Sequence, residues 1–131
     1  MKIQAIDHIT INAVDLDASV KFYTEGFGLE RLNSVDMGDH LLTYFRLTDS
    51  TRLELITYDS APAPVHCEPV QPGVYRHFAI EVDDVRACRE QLKAHGAVIL
   101  MEPSPVDKLQ AICMLVQDPN GVEIEVVEKY R

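Results

Sequence analysis

Tryptophan is absent from the 131 residues, and only four phenylalanines and five tyrosines are present. Proteins that sequester a flat drug molecule stack it on aromatic side chains, and this chain offers few of them. Its three cysteines, Cys67, Cys88 and Cys113, are odd in number, far apart and without a CxxC pair. They predict no disulfide framework and are typical of reduced thiols, so we expect a cytoplasmic protein.

Basic residues are also scarce. Twelve Lys and Arg stand against 21 Asp and Glu, which gives a formal net charge of −9. Nucleic acids and anionic membranes bind through basic patches, so the charge argues against both as partners. No apolar run approaches the roughly 18 residues of a membrane span, and residues 1–7 lack the apolar core of an export signal. A small-molecule partner stays open, because a local cation can override the net charge.

The remaining composition is that of one globular domain. At 131 residues, with 47% hydrophobic and 25% charged residues, the chain has enough apolar side chains for a core. We therefore predict a single domain over residues 1–131.

Hydrophobic periodicity predicts one order of elements twice. Residues 3–13 alternate between apolar and polar, as in a half-buried strand, and Asp15 can cap the helix that follows. Three strands are predicted after it, at 29–35, 40–47 and 52–58. The proline-rich segment 59–73 predicts a linker. The second copy comprises a strand at 74–82, a helix capped by Asp83 or Asp84, strands at 97–101, 109–117 and 122–128, and a turn at 118–121. The fold class is thus α+β, with two tandem βαβββ modules at 1–58 and 74–131.

Four polar residues recur at matching places in the two modules. His8, Glu54, His77 and Glu125 lie on strand faces opposite the apolar side chains, and His77 follows His8 by 69 residues while Glu125 follows Glu54 by 71. If each sheet curls, these faces line a cleft. Two imidazoles and two carboxylates suit a divalent transition metal and need no thiolate. The pattern predicts one metal site built by both modules, holding Ni, Zn, Co, Mn or Fe.

Several stretches carry a family resemblance that covers nearly all of the chain. They are DHI at 7–9, VDLDASVKFY at 14–23 with GL at 28–29, LEL at 53–55, HFAIEVDD at 77–84 and DPNGVEIE at 118–125. The chain resembles the vicinal oxygen chelate superfamily, also called the glyoxalase/bleomycin-resistance/dioxygenase fold. The resemblance is closest to its glyoxalase I (lactoylglutathione lyase) branch, and it implies curled sheets around a metal-binding cleft.

The resemblance also implies roles for the four residues. His8, Glu54, His77 and Glu125 match the metal ligands of that branch one for one, and Glu125 is favoured as the catalytic base with Glu54 as its counterpart. The implied reaction is isomerisation or lyase chemistry on an α-oxygenated small molecule, such as the hemithioacetal of methylglyoxal, through an enediolate. Small members of the branch build the site between two subunits, so a homodimer with shared active sites is implied.

Two positions depart from the glutathione-dependent pattern. That pattern has Arg four residues after the first His and Asn four after the first Glu, where this chain has Asn12 and Tyr58. Neither offers a guanidinium fork to a carboxylate, so the use of glutathione stays open. Three alternatives also stay open: a non-haem iron dioxygenase, an epimerase acting beside a thioester carbonyl, and a metal-free drug-binding resistance protein.

Overall fold

A computed structural model describes residues 1–63 and 66–131 of the chain. The chain divides into two compact units, Met1–Ala61 and Pro62–Arg131. Within the predicted linker 59–73, Pro64 and Val65 lie outside the described residues, and the remainder forms no helix or strand. No helix in the described part of the chain is long and apolar enough to cross a membrane.

The first unit contains one helix and one four-stranded sheet. In chain order its elements are β1 (His8–Asn12), α1 (Leu16–Lys21), β2 (Glu30–Asp36), β3 (His40–Arg46) and β4 (Arg52–Tyr58). The strands lie in the order β1-β4-β3-β2. β1 runs parallel to β4, and the other neighbours are antiparallel.

The second unit repeats this topology. Its elements are β5 (Phe78–Glu81), α2 (Val85–Ala94), β6 (Val98–Val106), β7 (Ala111–Gln117) and β8 (Glu123–Lys129). The sheet order is β5-β8-β7-β6, with β5 parallel to β8. The predicted α+β class and the repeated βαβββ order are confirmed.

The two sheets also share one register. Ile9 is opposite Leu53 in the first unit, and Phe78 is opposite Ile124 in the second. These partners are related by the same steps of 69 and 71 residues that relate the two histidines and the two glutamates. Residues 69 or 71 apart therefore occupy equivalent places in the two sheets.

Aspartate side chains begin both helices. The Oδ1 atoms of Asp15 and Asp84 accept hydrogen bonds from the backbone N–H groups of the residues three positions on, at 3.0 Å and 2.9 Å. Asp84 rather than Asp83 is thus the cap of α2. Val85 and Leu92 of α2 are fully covered. α1 ends at Lys21, and residues Phe22–Gly26 continue it as a π-helical turn.

Three predicted strands have different bounds. The strand predicted at 3–13 begins only at His8, since its parallel partner β4 begins at Arg52 and leaves the preceding residues exposed. The strand predicted at 74–82 likewise begins at Phe78, whose partner is Ile124. The strand predicted at 97–101 runs on to Val106 through two register shifts, which an alternation pattern cannot reveal.

Each sheet buries one face with its helix. The fully covered side chains of the first unit include Phe22, Tyr23, Phe45, Leu53 and Leu55, and those of the second include Val85, Leu92, Met114, Val116, Ile124 and Val126. Burying such side chains contributes roughly 1.5–3 kcal/mol each and fixes the pleat of every strand. The alternate residues of β1, β4 and β8 are thereby held on the opposite face, where the candidate ligands lie.

Candidate metal centre

In the first unit, His8 and Glu54 lie on one face of the sheet. His8 is the first residue of β1, and Thr10, two residues on, is directly opposite Glu54 in the parallel register. The Nε2 atom of His8 lies 4.0 Å from Oε1 of Glu54. The two side chains differ in environment, because the His8 side chain is 40% exposed and that of Glu54 only 7%.

Two hydroxyl groups face the Glu54 carboxylate. Thr10 donates a hydrogen bond from Oγ1 to Oε1 of Glu54 at 3.0 Å. Tyr44 lies directly across from Glu54 on β3, so its hydroxyl faces the same carboxylate. Interaction with the Glu54 carboxylate, and then burial, raise the pKa of Tyr44 above its ordinary value. The register of the strands therefore fixes both supports of Glu54.

An ion pair supports His8 from the other side of its ring. The Nδ1 atom of His8 lies 2.7 Å from Oδ2 of Asp7, and Nη2 of Arg52 donates to the same oxygen at 2.8 Å. The hydrogen bond with His8 and then the one from Arg52 hold the pKa of Asp7 below its usual value. The Arg52 guanidinium also lies over the ring of Tyr44, 4.5 Å from its centroid.

In the second unit, His77 and Glu125 form the equivalent pair. His77 directly precedes β5, and its Nε2 lies 3.2 Å from Oε2 of Glu125. Its Nδ1 is buried and makes no hydrogen bond within the described residues. The Oε2 atom of Glu123 lies 3.7 Å from this Nδ1 atom. The same oxygen lies 3.6 Å from Nε of Arg76.

Glu125 has fewer supports than Glu54. Its side chain is 23% exposed. Leu115 lies directly across from it, and the buried thiol of Cys113 lies one diagonal position away on the same face. Burial, and then the Glu125 carboxylate, raise the pKa of the Cys113 thiol, which therefore stays protonated and can donate to Glu125. Leu115 offers no hydroxyl group at the place where Tyr44 does.

The donor atoms of each pair suit a divalent metal. In both pairs Nε2 of an imidazole faces a carboxylate oxygen, which places two electron-rich atoms together. Ligands about 2.1 Å from a shared ion lie roughly 3.0–3.4 Å from each other at tetrahedral or octahedral angles. The 3.2 Å between His77 and Glu125 falls in that range, while the 4.0 Å between His8 and Glu54 is wider. Imidazole and carboxylate ligands fit Zn, Ni, Co, Mn or Fe, so the residues present fit such an ion.

The structure thus brings the four predicted residues together as two pairs, one in each unit. Within residues 1–63 and 66–131, no group of three or more His, Cys, Asp and Glu side chains is placed to hold an ion. The four-ligand set remains a prediction. The supporting residues Thr10, Tyr44 and Arg52 were not recognised in the sequence. Thr10 could have been, because it follows His8 by two and shares its face, whereas the other two depend on strand register.

A cavity of about 550 Å³ lies in the second unit. Arg76 and Glu123 form part of its wall, together with the apolar side chains of Val74, Leu100 and Val122. Arg76 directly precedes His77 in sequence and Glu123 precedes Glu125 by two residues, but the two candidate ligands themselves are not part of its wall. Its volume is within the range of small-molecule sites.

Comparison with known families gives one match over nearly the whole chain. The sequence model of the Glyoxalase/Bleomycin resistance protein/Dioxygenase superfamily matches residues 5–126.

Among curated relatives, a probable lactoylglutathione lyase of Vibrio cholerae is 31% identical over 125 residues, which cover 92% of this chain and 88% of the relative. A probable chloroplastic lactoylglutathione lyase of Arabidopsis thaliana is also 31% identical, over 93% of this chain, but this chain spans only 35% of its length. Among solved structures, the trypanothione-dependent glyoxalase I of Leishmania major has a TM-score of 0.77 and 27% identity, over 97% of this chain and 88% of its own.

Proposed function

The chain belongs to the glyoxalase/bleomycin resistance protein/dioxygenase superfamily, and from that premise we propose that it is a metal-dependent lyase of the glyoxalase I type. The observation that supports this proposal is the pair of repeat-equivalent His–Glu contacts, each joining an imidazole Nε2 to a carboxylate oxygen. The names of the curated relatives point to the same reaction.

We propose that His8, Glu54, His77 and Glu125 hold one divalent metal. When bound, the metal would withdraw charge from the vicinal oxygens of a substrate and so make the adjacent C–H bond more acidic. The two histidines serve as neutral ligands through Nε2. Glu54, covered by protein, hydrogen-bonded by Thr10 and faced by Tyr44, serves as a fixed carboxylate.

Glu125 is the proposed catalytic base. An oxygen of its carboxylate would take the proton from the carbon that bears the hydroxyl group of a hemithioacetal. The same oxygen would return that proton to the neighbouring carbon, while the hydroxyl proton of the first carbon passes to the oxygen of that neighbour, which yields a thioester of a 2-hydroxy acid with no net gain or loss of atoms. The partial exposure of Glu125 and its few supports favour this role over the covered Glu54.

The thiol that forms the hemithioacetal is a separate question. Asn12 and Tyr58 stand where the glutathione-dependent pattern has its Arg and Asn, and the Tyr58 ring packs beside the His40 ring with centroids 5.1 Å apart. We propose that the thiol carrier is accommodated in the cavity lined by Arg76 and Glu123. A panel of thiols mixed with methylglyoxal, with glutathione as one member, tests this point.

The experiment that tests the function combines metal content with turnover. The purified protein is loaded in turn with Ni, Co, Zn, Mn and Fe(II), and bound metal and thioester formation are measured for each. We expect about one bound ion for the two His–Glu contacts taken together. We also expect Glu125→Gln to retain the metal and to lose about 10²–10⁴-fold in turnover. Turnover near wild type in Glu125→Gln would remove Glu125 from the base role, and unchanged metal content in His77→Ala would refute the ligand set.

We further propose that two protomers share each site, as the resemblance implies. His8→Ala and His77→Ala proteins are each expected to be inactive. After mixing and subunit exchange, half of the dimers combine the two variants, and each such dimer regains one intact site of two. About a quarter of wild-type activity should therefore return if the site is shared. No recovery, with subunit exchange verified by a tagged copy, would place all four ligands in one protomer.

A further inference from the structure

The internal duplication contains an ion pair whose two charges have been exchanged. Asp7 and Arg76 are separated by 69 residues, and Arg52 and Glu123 by 71, so they occupy equivalent places in the two sheets. In the first unit Asp7 directly precedes His8, and Arg52 lies on the last strand with its Nη2 2.8 Å from Oδ2 of Asp7. In the second unit Arg76 directly precedes His77, and Glu123 lies on the last strand with its Oε2 3.6 Å from Nε of Arg76.

The two arrangements place the nearer carboxylate at different ring nitrogens. Oδ2 of Asp7 lies 2.7 Å from Nδ1 of His8, whereas Oε1 of Glu54 is 4.0 Å from Nε2. At His77 the order is reversed, because Oε2 of Glu125 lies 3.2 Å from Nε2 while Oε2 of Glu123 is 3.7 Å from Nδ1. The buried Nδ1 of His77 has no hydrogen bond within the described residues.

We infer that the pair Asp7–Arg52 is a positioning device that holds the proton of His8 on Nδ1 and leaves Nε2 free to bind a ligand, a task that the exchanged pair Glu123–Arg76 does not perform for His77. A neutral imidazole carries one proton, and an acid hydrogen-bonded to one nitrogen selects the tautomer protonated there. Arg52 fixes the acid in place. This inference rests on the proposed function only for the identity of the ligand at Nε2.

The tautomer is measured directly in the metal-free protein. The ¹⁵N chemical shifts of the ring nitrogens, at a pH where the histidines are neutral, separate a protonated from an unprotonated nitrogen. We expect His8 to be protonated on Nδ1 and His77, whose nearer carboxylate is that of Glu125, on Nε2. Asp7→Ala should turn His8 into a mixture of tautomers and leave His77 unchanged, and Glu123→Ala should alter neither.

The chain supplies a matched control. Asp39 precedes His40 as Asp7 precedes His8, and its Oδ1 lies 2.6 Å from Nδ1 of His40, outside the candidate centre. Asp39→Ala should alter the tautomer of His40 alone. A wild-type His8 with its proton on Nε2, or one whose tautomer is unaltered by Asp7→Ala, would overturn the inference whether or not the protein binds metal.

A second readout is the affinity for Zn²⁺ alone. Loss of an outer carboxylate from a ligating histidine typically costs 10–100-fold in metal affinity. We expect that loss in Asp7→Ala and none in Asp39→Ala. Equal affinity in the two variants would overturn the positioning role. If wild type shows the expected tautomers but binds none of the metals tested, the proposed function fails while the inference stands.

Discussion

The hydrogen bond from Thr10 to Glu54 gives the sharpest test of how the first unit is built. Thr10→Val keeps the shape and the β-branch but removes the hydroxyl that donates to Oε1 of Glu54 at 3.0 Å. The Glu54 side chain is only 7% exposed, so water has little room to replace the lost donor. The variant therefore leaves a covered carboxylate without the hydroxyl group that donates to it.

The size of the effect follows from the chemistry of the bond. Hydrogen bonds to charged groups contribute about 1.5–3 kcal/mol. Because Thr10 itself is exposed, we expect the lower end, a loss of about 1.5 kcal/mol in the free energy of unfolding. Thr51→Val is the control, since its hydroxyl donates to the backbone carbonyl of Ile6 on the exposed surface. We expect that control to change stability by no more than about 0.5 kcal/mol.

Urea unfolding of the metal-free protein measures these changes, provided that the m-value is the same in every variant. A double-mutant cycle with Glu54→Met, which removes the acceptor at similar volume, isolates the contribution of the pair. A coupling free energy of about 1–2 kcal/mol is expected. If Thr10→Val costs the same in the Glu54→Met background as in wild type, the hydroxyl does not support Glu54 and the argument is wrong.

Three further predictions concern other parts of the chain. Asp84→Ala should lower the free energy of unfolding by about 1 kcal/mol through loss of the α2 cap. Asp83 has an exposed side chain paired to Arg131, so Asp83→Ala should change the free energy of unfolding by less than about 0.5 kcal/mol. Equal effects of the two variants in urea unfolding would contradict the cap assignment. Leu53→Ala, at a fully buried position, should cost about 2–5 kcal/mol, and Leu109→Ala, at a 64% exposed one, should cost under about 0.5 kcal/mol; a small loss at the first site would place it outside the core. The folded-state pKa of Asp7 is lowered from 3.8, so its ion pairing stabilises the fold above that pH and is lost as the pH falls through the lower, folded value. The stability difference between wild type and Asp7→Ala should therefore be full at neutral pH and fade in acid, and a difference independent of pH would refute the pairing.

Sequence periodicity predicted the fold well because the chain repeats itself. The alternation of His8 to Asn12 and the copies of the His–Glu pattern predicted the faces, the order of elements and the places of the four candidate ligands. Strand ends were predicted less well, since β1 begins where its partner Arg52 begins and not where alternation begins. Neither the Tyr44 support nor the Arg52 contact could be predicted, because both depend on which residues of neighbouring strands are opposite each other.

The difference between the two units bears on which glutamate moves a proton. Tyr44 and Leu115 occupy equivalent positions, directly across from Glu54 and Glu125. A phenol at that place faces the first carboxylate with a hydroxyl group, and a leucine offers none to the second. A carboxylate fixed by neighbouring groups is less able to turn towards a substrate than one with fewer supports. A duplicated chain that keeps the same ligand types in both halves can thus assign them different tasks through their neighbours, and this contrast supports Glu125 as the base and Glu54 as the fixed ligand.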